Sequence, residues 1–270
     1  MPYGRLPEWA GGYLFRLERG GTAVNIESDG LVIKEQKIGE SDKLITVLTS
    51  QYGLIRAFVR RASSMKSKML GATQLLSYSD FSFYKGRSSY NVNSATQKYS
   101  FFKLNDNIEA LAVGFYLAEL FGELAPENEN AETLLHLLLN SLYLMAEKKR
   151  TPQLVKAAAE LRSLSDSGYM PDLVACANCG EYETDYMYFN PSSGHILCSK
   201  CGSPAEGMRL SLGAITAMRF IVYSEEKKIF NFHVSDQTMK ELSQAAEQFA
   251  IQQTGRGYKT LEFYKSIPKG

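Results

Sequence analysis

Two cysteine pairs, Cys176-Ala-Asn-Cys179 and Cys198-Ser-Lys-Cys201, hold all four cysteines of the 270-residue chain and restrict its fold more than any other feature. Each pair leaves two residues between its members, and 18 residues separate the pairs. That is the spacing of a tetrahedral zinc site, in which each CxxC turn aims two thiolates at one ion. Gly180 and Gly202 follow the pairs directly, where the chain must turn tightly. Between them, Tyr186-Met187-Tyr188-Phe189-Asn190 and His195-Ile196-Leu197 read as a short β-hairpin turning at Pro191-Ser192-Ser193-Gly194. Four thiolates close the coordination sphere and leave no position for water, so a single structural Zn2+ is expected on Cys176, Cys179, Cys198 and Cys201, within a knuckle over residues 174–204. Two disulfides are the alternative, which a reducing cytosol disfavours. His195 lies inside the knuckle as a bystander, His136 belongs to a leucine-rich helix, and His233 has no partner in sequence.

Upstream of the knuckle the chain changes period once. From Ile26 to about Tyr99 the pattern is β: Asp29–Lys34, Lys43–Thr49, Leu54–Arg60, Leu75–Tyr84 and a return from Tyr90 to Tyr99 through the turn Lys85-Gly86-Arg87-Ser88. Five short strands in about 75 residues imply a small closed or nearly closed barrel, which removes the exposed edges of an open meander. From Asn107 onward apolar residues recur at three- and four-residue steps. Helices are expected from Asn107 to Pro126, from Leu134 to Ala146 behind an Asn130 cap, from Thr151-Pro152 to Gly168, from Ser211 to Ser224, and from Ser235 to Thr254 with Gly255 as the stop. The chain therefore reads as α+β: an N-terminal extension over 1–25, a strand domain over 26–103, and a helical domain over 104–270 with the knuckle inserted. The extension contains Trp9 and five glycines but no apolar core of signal-peptide length, so the cytoplasm is the expected compartment. No run reaches the ~18 apolar residues of a membrane span.

The near-neutral net charge of +1 conceals a division. Residues 1–103 hold fifteen Lys/Arg against eight Asp/Glu, and residues 104–270 hold fifteen against twenty-one. The stretch Leu54–Lys68 contains Arg56, Arg60, Arg61, Lys66 and Lys68 and no acid. In its first half Ile55, Ala57 and Val59 share one strand face, while Arg56 and Arg60 flank Phe58 on the other. With Lys85 and Arg87 these residues form a candidate polyanion track. Tyr78, Tyr84, Tyr90 and Tyr99 lie near it in sequence as candidate base-stacking side chains, each with strand-face packing as the competing role. There is no GxxxxGK[ST], GxSxG, HExxH or GxGxxG segment and no arguable carboxylate pair, so an enzyme is not expected.

An ordered series of segments adds to this reading. Asp29-Gly-Leu-Val-Ile-Lys34, Gly39-Glu-Ser-Asp-Lys-Leu-Ile-Thr-Val-Leu-Thr49 and Tyr52-Gly-Leu-Ile-Arg56 come first. Phe83-Tyr-Lys-Gly86, Tyr116-Leu-Ala-Glu-Leu120, Gly168-Tyr-Met-Pro-Asp172 and Arg209-Leu-Ser-Leu-Gly-Ala214 follow. On these pieces the chain, over about residues 26–267, resembles the bacterial RecO family of recombination mediators. The resemblance implies an N-terminal five-stranded OB-fold, a helical domain and a zinc knuckle. It also implies binding of single- and double-stranded DNA, annealing of complementary strands, and partnership with RecR and the single-strand-binding protein. Together these would load a recombinase onto coated DNA, in the cytoplasm and at the nucleoid during repair. The tail of the single-strand-binding protein is acidic and apolar by the same resemblance, so its pocket needs a cation, for which Lys156, Arg162, Arg209 and Arg219 are candidates. A zinc-containing OB-fold RNA-binding protein is the alternative from another class, and a metal hydrolase would need the open coordination position that four thiolates deny.

Overall fold

The computed structural model describes residues 24–60, 69–86 and 89–268. The first of its two parts is built from β1 (Val24–Ile38), β2 (Asp42–Thr49), β3 (Gly53–Val59), β4 (Ser77–Lys85) and β5 (Tyr90–Ser100). The strands close on themselves in the order β1-β2-β3-β5-β4. β1 starts at Val24, two residues inside the stretch expected to be an extension, because Val24 and Asn25 pair with Lys85 and Tyr84 of β4. Its 15 residues serve two neighbours, and a register shift between Val32 and Lys34 bends the strand between them. Closure itself is brief: β3 meets β5 in parallel only at Ala57↔Tyr90 and Phe58↔Asn91.

Alternation fills the barrel. Ile55, Ala57 and Val59 point inward with Val32, Ile45, Val47, Phe81, Phe83 and Val92, and Arg56 and Arg60 stand outside. On β4 the same alternation fails at one end, where Ser77, Tyr78 and Ser79 are all buried. There the outer side of the barrel is covered by helices. Leu31, Ile33, Leu48, Leu76, Tyr78 and Phe101 join the helical core instead of the barrel core.

That second core is made by α1 (Ile108–Leu124), α2 (Glu132–Ala146), α3 (Pro152–Asp166), α4 (Leu212–Tyr223), α5 (Asp236–Thr254) and α6 (Lys259–Ser266), with a three-stranded sheet of β6 (Tyr186–Asn190), β7 (His195–Cys198) and β8 (Met208–Ser211). Caps fall where the sequence places them. Asn107 Oδ1 accepts from the amides of Glu109 and Ala110, Thr151, Ser211 and Ser235 cap α3, α4 and α5, and Gly255 ends α5 in the left-handed region at φ 67°. The cap of α2 is shifted: Ala131 takes the cap position, and Asn130 Oδ1 accepts from Glu132 N one residue further out. Strand β8 and helix α6 were not expected.

The two parts are tied through the β2–β3 turn. Leu54 N donates to Pro126 O at 3.0 Å, Asn128 N to Tyr52 O at 3.1 Å, and Ala131 N to Ser50 O at 2.8 Å, so the α1–α2 loop extends the hairpin as a short extra strand would. Gly53 makes this possible. Its φ is +60°, and a Cβ there would lie 1.9 Å from Pro126 O.

Candidate metal centre and nucleic-acid interface

The knuckle is assembled from two turns on a sheet edge. Cys198 ends β7, and Cys201 N and Gly202 N both donate back to Cys198 O, which folds the second CxxC turn. In the first turn Gly180 N donates to Cys176 O, with Gly180 at φ +75°. Gly202 is needed for a different reason from tight turning: a Cβ there would sit 2.7 Å from the Tyr188 ring and 2.9 Å from Leu197. All four Sγ atoms lie within 4.8 Å of one another, and Cys179 and Cys198 approach to 3.6 Å without a disulfide. Zinc–sulfur bonds of about 2.3 Å in a tetrahedron place sulfurs roughly 3.8 Å apart, so the donor set fits such an ion. Burial would raise the Cys176 thiol, but hydrogen bonds from the backbone of Cys198, Cys179 and Asn178 outweigh it and bring it down to about 6, while hydrogen bonding among the clustered thiols raises Cys201 and, against a backbone contact at Glu181, Cys179. His195 is outside the cluster, its Nε2 3.3 Å from Ser193 Oγ.

Arg219 holds the knuckle to α4, a role sequence reasoning missed. Its Nε donates to Leu173 O at 2.6 Å and its Nη2 to Val174 O and Tyr182 O, while the guanidinium covers the Tyr182 ring at 4.2 Å. These carbonyls flank the first CxxC on both sides. Arg219 is therefore buried, with its Nε and Nη2 committed to backbone carbonyls, and is a poor candidate for a partner's carboxylate. Lys156 is likewise removed from the docking candidates, at 0% exposure between Glu160 (2.8 Å) and Glu247 (3.0 Å). Arg162 is bound to Asp166 and to Ser224 O. Only Arg209 of the four is exposed, stacked 3.9 Å over Tyr186.

On the barrel, register places Lys34, Thr46 and Arg56 side by side across β1, β2 and β3, with Arg60 just beyond the end of β3. Lys85 ends β4 opposite Tyr90, its Nζ 5.4 Å from that ring. Lys34, Arg56, Arg60 and Lys85 are all exposed, and none is ion-paired to a described residue; the barrel's pairs there are Lys43–Glu35 and Lys98–Asp80. Lys34 was not singled out from sequence, though its outward parity with Arg56 was readable. Arg61, Lys66, Lys68 and Arg87 lie outside the described residues. Of the tyrosines, Tyr84 is exposed and shares a cross-strand row with Asn91 and Phe58, beside the arginines. Tyr78 is excluded as a stacking platform: it is fully buried, with its hydroxyl donating to Asp29 Oδ2. Burial first, then this carboxylate, push its phenol far above the ordinary range. Tyr90 and Tyr99 are half-buried, packed edge-on against Phe83 and Phe101.

The combination defines a class: a strand barrel with an unpaired basic outer face, fused to a helical body that carries a four-thiol cluster. Family models agree along both parts, with "Recombination protein O N terminal" matching residues 24–101 and "Recombination protein O C terminal" matching residues 105–262. The chain is similar to the DNA repair protein RecO of Acetivibrio thermocellus, 34% identical over 245 residues, covering 90% of this chain and 98% of that one. It is also similar to the DNA repair protein RecO of Symbiobacterium thermophilum (31%, covering 88% and 96%) and of Alkaliphilus metalliredigens (28%, covering 90% and 99%). The chain belongs to the RecO family. No described helix is long and apolar enough to cross a membrane.

Proposed function

We propose that this chain is a recombination mediator in DNA repair. It binds single- and double-stranded DNA, anneals complementary strands, and helps load a recombinase onto DNA coated by single-strand-binding protein. Its partners on this reading are that protein's acidic tail and RecR, and its place is the cytoplasm, at the nucleoid. The strand order with a parallel β3–β5 closure supports an OB-fold. The four thiols support one structural zinc ion, which fixes the knuckle and takes no part in chemistry. The protein acts by binding rather than by turnover.

The observation that carries the reading is the set of unpaired cations Lys34, Arg56 and Arg60 on the outer barrel face. Placed on a phosphate backbone they release condensed counterions, which gives affinity without sequence preference. Two strands held on such a surface repel each other less, which favours annealing. Tyr84 beside them offers a ring to an unstacked base. The test is an Arg56→Glu/Arg60→Glu protein titrated with labelled single strands and duplex over a range of salt. Wild type should lose affinity with a slope of about 0.7 per phosphate contact for single strands, and the variant should bind both forms more weakly with a shallower slope. Unchanged affinity and slope would show that the barrel face is not the DNA track. Equal annealing of RNA strands would favour a general nucleic-acid chaperone over a DNA repair factor.

A further inference from the structure

At the far end of β5 from Lys85 a second surface has the chemistry of a strand-binding site. Phe102 is the most exposed of the large apolar side chains described, at 71%, although its neighbour Phe101 is buried. It opens the short 3-10 turn Phe102–Asp106 that links β5 to α1. With Gln97, Lys98, Tyr99, Ser100 and Lys103 it lines a shallow groove where the barrel meets the helical body. The wall behind continues as alternating rings and cations. Tyr99 lies 6.5 Å from Tyr143, and Lys149 Nζ stands 4.6 Å above the Tyr143 ring. Lys148 is exposed in the same turn.

Charge favours an anion here. Lys98, Lys103, Lys148 and Lys149 face two carboxylates, Asp80, 3.3 Å from Lys98, and Glu147, 2.8 Å from Lys103. Both pairs are solvent-exposed and so are weak, screened contacts that an incoming phosphate can replace. An exposed ring flanked by ammonium groups matches an unpaired nucleotide, whose base presents a π face and whose backbone presents a phosphate. A duplex offers no free base to the ring.

We infer that this groove is a second nucleic-acid site, specific for unpaired strands, with a base stacked on Phe102 and phosphates on Lys98, Lys103 and Lys149. The inference rests on the DNA-binding reading above and adds to it a separate foothold. The groove begins at Gln97, seven residue steps of β5 from the barrel rim at Tyr90, a span of at most about 23 Å at ~3.3 Å per residue. One molecule then holds two strands at two places, and the groove accepts only an unpaired one.

The test measures fluorescence anisotropy of a labelled oligothymidylate and of a duplex of equal length on the whole chain, comparing wild type with Phe102→Ala, Phe102→Trp and Lys98→Ala/Lys103→Ala. Phe102 is exposed, so the alanine variant should keep its thermal midpoint. Loss of one stacking platform should weaken single-strand binding about 5- to 100-fold and leave duplex binding within about twofold, while tryptophan retains wild-type affinity. The lysine variant should weaken single-strand binding with a reduced salt slope. The proposal is overturned if Phe102→Ala binds oligothymidylate like wild type, or if it weakens single strands and duplex equally. It is also overturned if the variant loses only an acidic, apolar peptide titrated as a control, which would make the groove a protein-docking site. Failure here with Arg56→Glu/Arg60→Glu still defective sinks the groove alone, whereas an undiminished Arg56→Glu/Arg60→Glu protein sinks the barrel reading.

Discussion

Several cations of the outer barrel face stand exposed with no ion pair to a described residue; two cations of the helical body are folded inside and bound there. Arg56 and Arg60 are exposed and unpaired among the described residues, whereas Lys156 and Arg219 are buried and held by anions or carbonyls. Formal charge is the same in the two settings. In the first it remains available to a polyanion at little desolvation cost, and in the second it is consumed in joining helices. Lys156 of α3 pairs with Glu160 on its own helix and Glu247 of α5, Lys265 of α6 reaches the other oxygen of Glu247 at 2.6 Å, and Tyr116 of α1 donates to Glu160 at 2.7 Å. Four helices thus meet on one buried ionic cluster. A basic residue is therefore a candidate for binding only after burial and pairing are known, and a count along the sequence cannot tell the two kinds apart.

The largest effect should come from the knuckle, the other place where the helical body encloses charge. A structural zinc supplies on the order of 10–16 kcal/mol in small modules. If the four thiols hold zinc as proposed, a Cys176→Ser or Cys198→Ser protein should lose that metal and amide protection in β6, β7 and β8, with the amides of β2 and β3 still protected. Hydrogen exchange read by mass spectrometry checks this. If the barrel loses protection as well, the two parts do not differ in the way described.

Next is the buried cluster. Lys156→Met removes the charge between two carboxylates and leaves Glu160 in the core unpaired, a change that typically costs 3–5 kcal/mol. A Lys156→Met/Glu160→Gln protein should recover part of that loss in a denaturant melt, since breaking a buried pair is worse than removing it. A Lys156→Met protein as stable as wild type would show that the cluster is not what fastens α3 to α5.

How much of this was legible follows from the range of the signals involved. The barrel strands and the inward face Ile55, Ala57 and Val59 were readable because alternation is a local, period-two pattern. The caps at Asn107, Thr151, Ser211 and Ser235 and the CxxC spacing are local in the same sense. Tyr78 takes the packing role weighed against stacking, but which core it joins was not readable, because the helical body covers only one end of β4 and strand alternation does not record which neighbour lies beyond it. Lys156 and Arg219 defeated the reading because their partners, Glu247 and Leu173, are 91 and 46 residues away in sequence. Helix α6 was missed for a related reason: it is short, and its buried Leu261 and Tyr264 matter only through contact with α1. The close approach of Gly53 to Pro126 was equally out of reach of a reading by segments.

A smaller effect distinguishes the two carboxylates of the cluster by pH. Burial would raise Glu247, but Lys156 first and then Lys265 hold it below the usual range. Its contribution is therefore present above the ordinary carboxylate pKa and lost as pH falls through the lower, folded value. Glu160 is raised, by burial above all, so its ionisation opposes folding as pH rises from the ordinary carboxylate range through its higher, folded value. A Glu247→Gln protein should be less stable than wild type by about 1.5–3 kcal/mol at neutral pH, with the two curves converging as pH falls below the ordinary carboxylate range. Parallel curves over that range would mean that Lys156 and Lys265 do not hold Glu247 in its charged form.

The smallest expected effect on stability is the sharpest statement of the comparison. Arg56→Ala and Arg60→Ala remove side chains that touch no described carboxylate, and surface changes of that kind usually lie within about 0.5 kcal/mol. Their thermal midpoints should match wild type, while each lost phosphate contact lowers the salt slope of single-strand binding by roughly 0.7. Lys156→Met should do the reverse, lowering the midpoint and, at temperatures where it remains folded, leaving the slope untouched. A measurable drop in midpoint for the arginine variants would place those guanidinium groups in the fold's own electrostatics. The outer barrel face would then be another internally committed set of cations, and the contrast between the two halves would disappear.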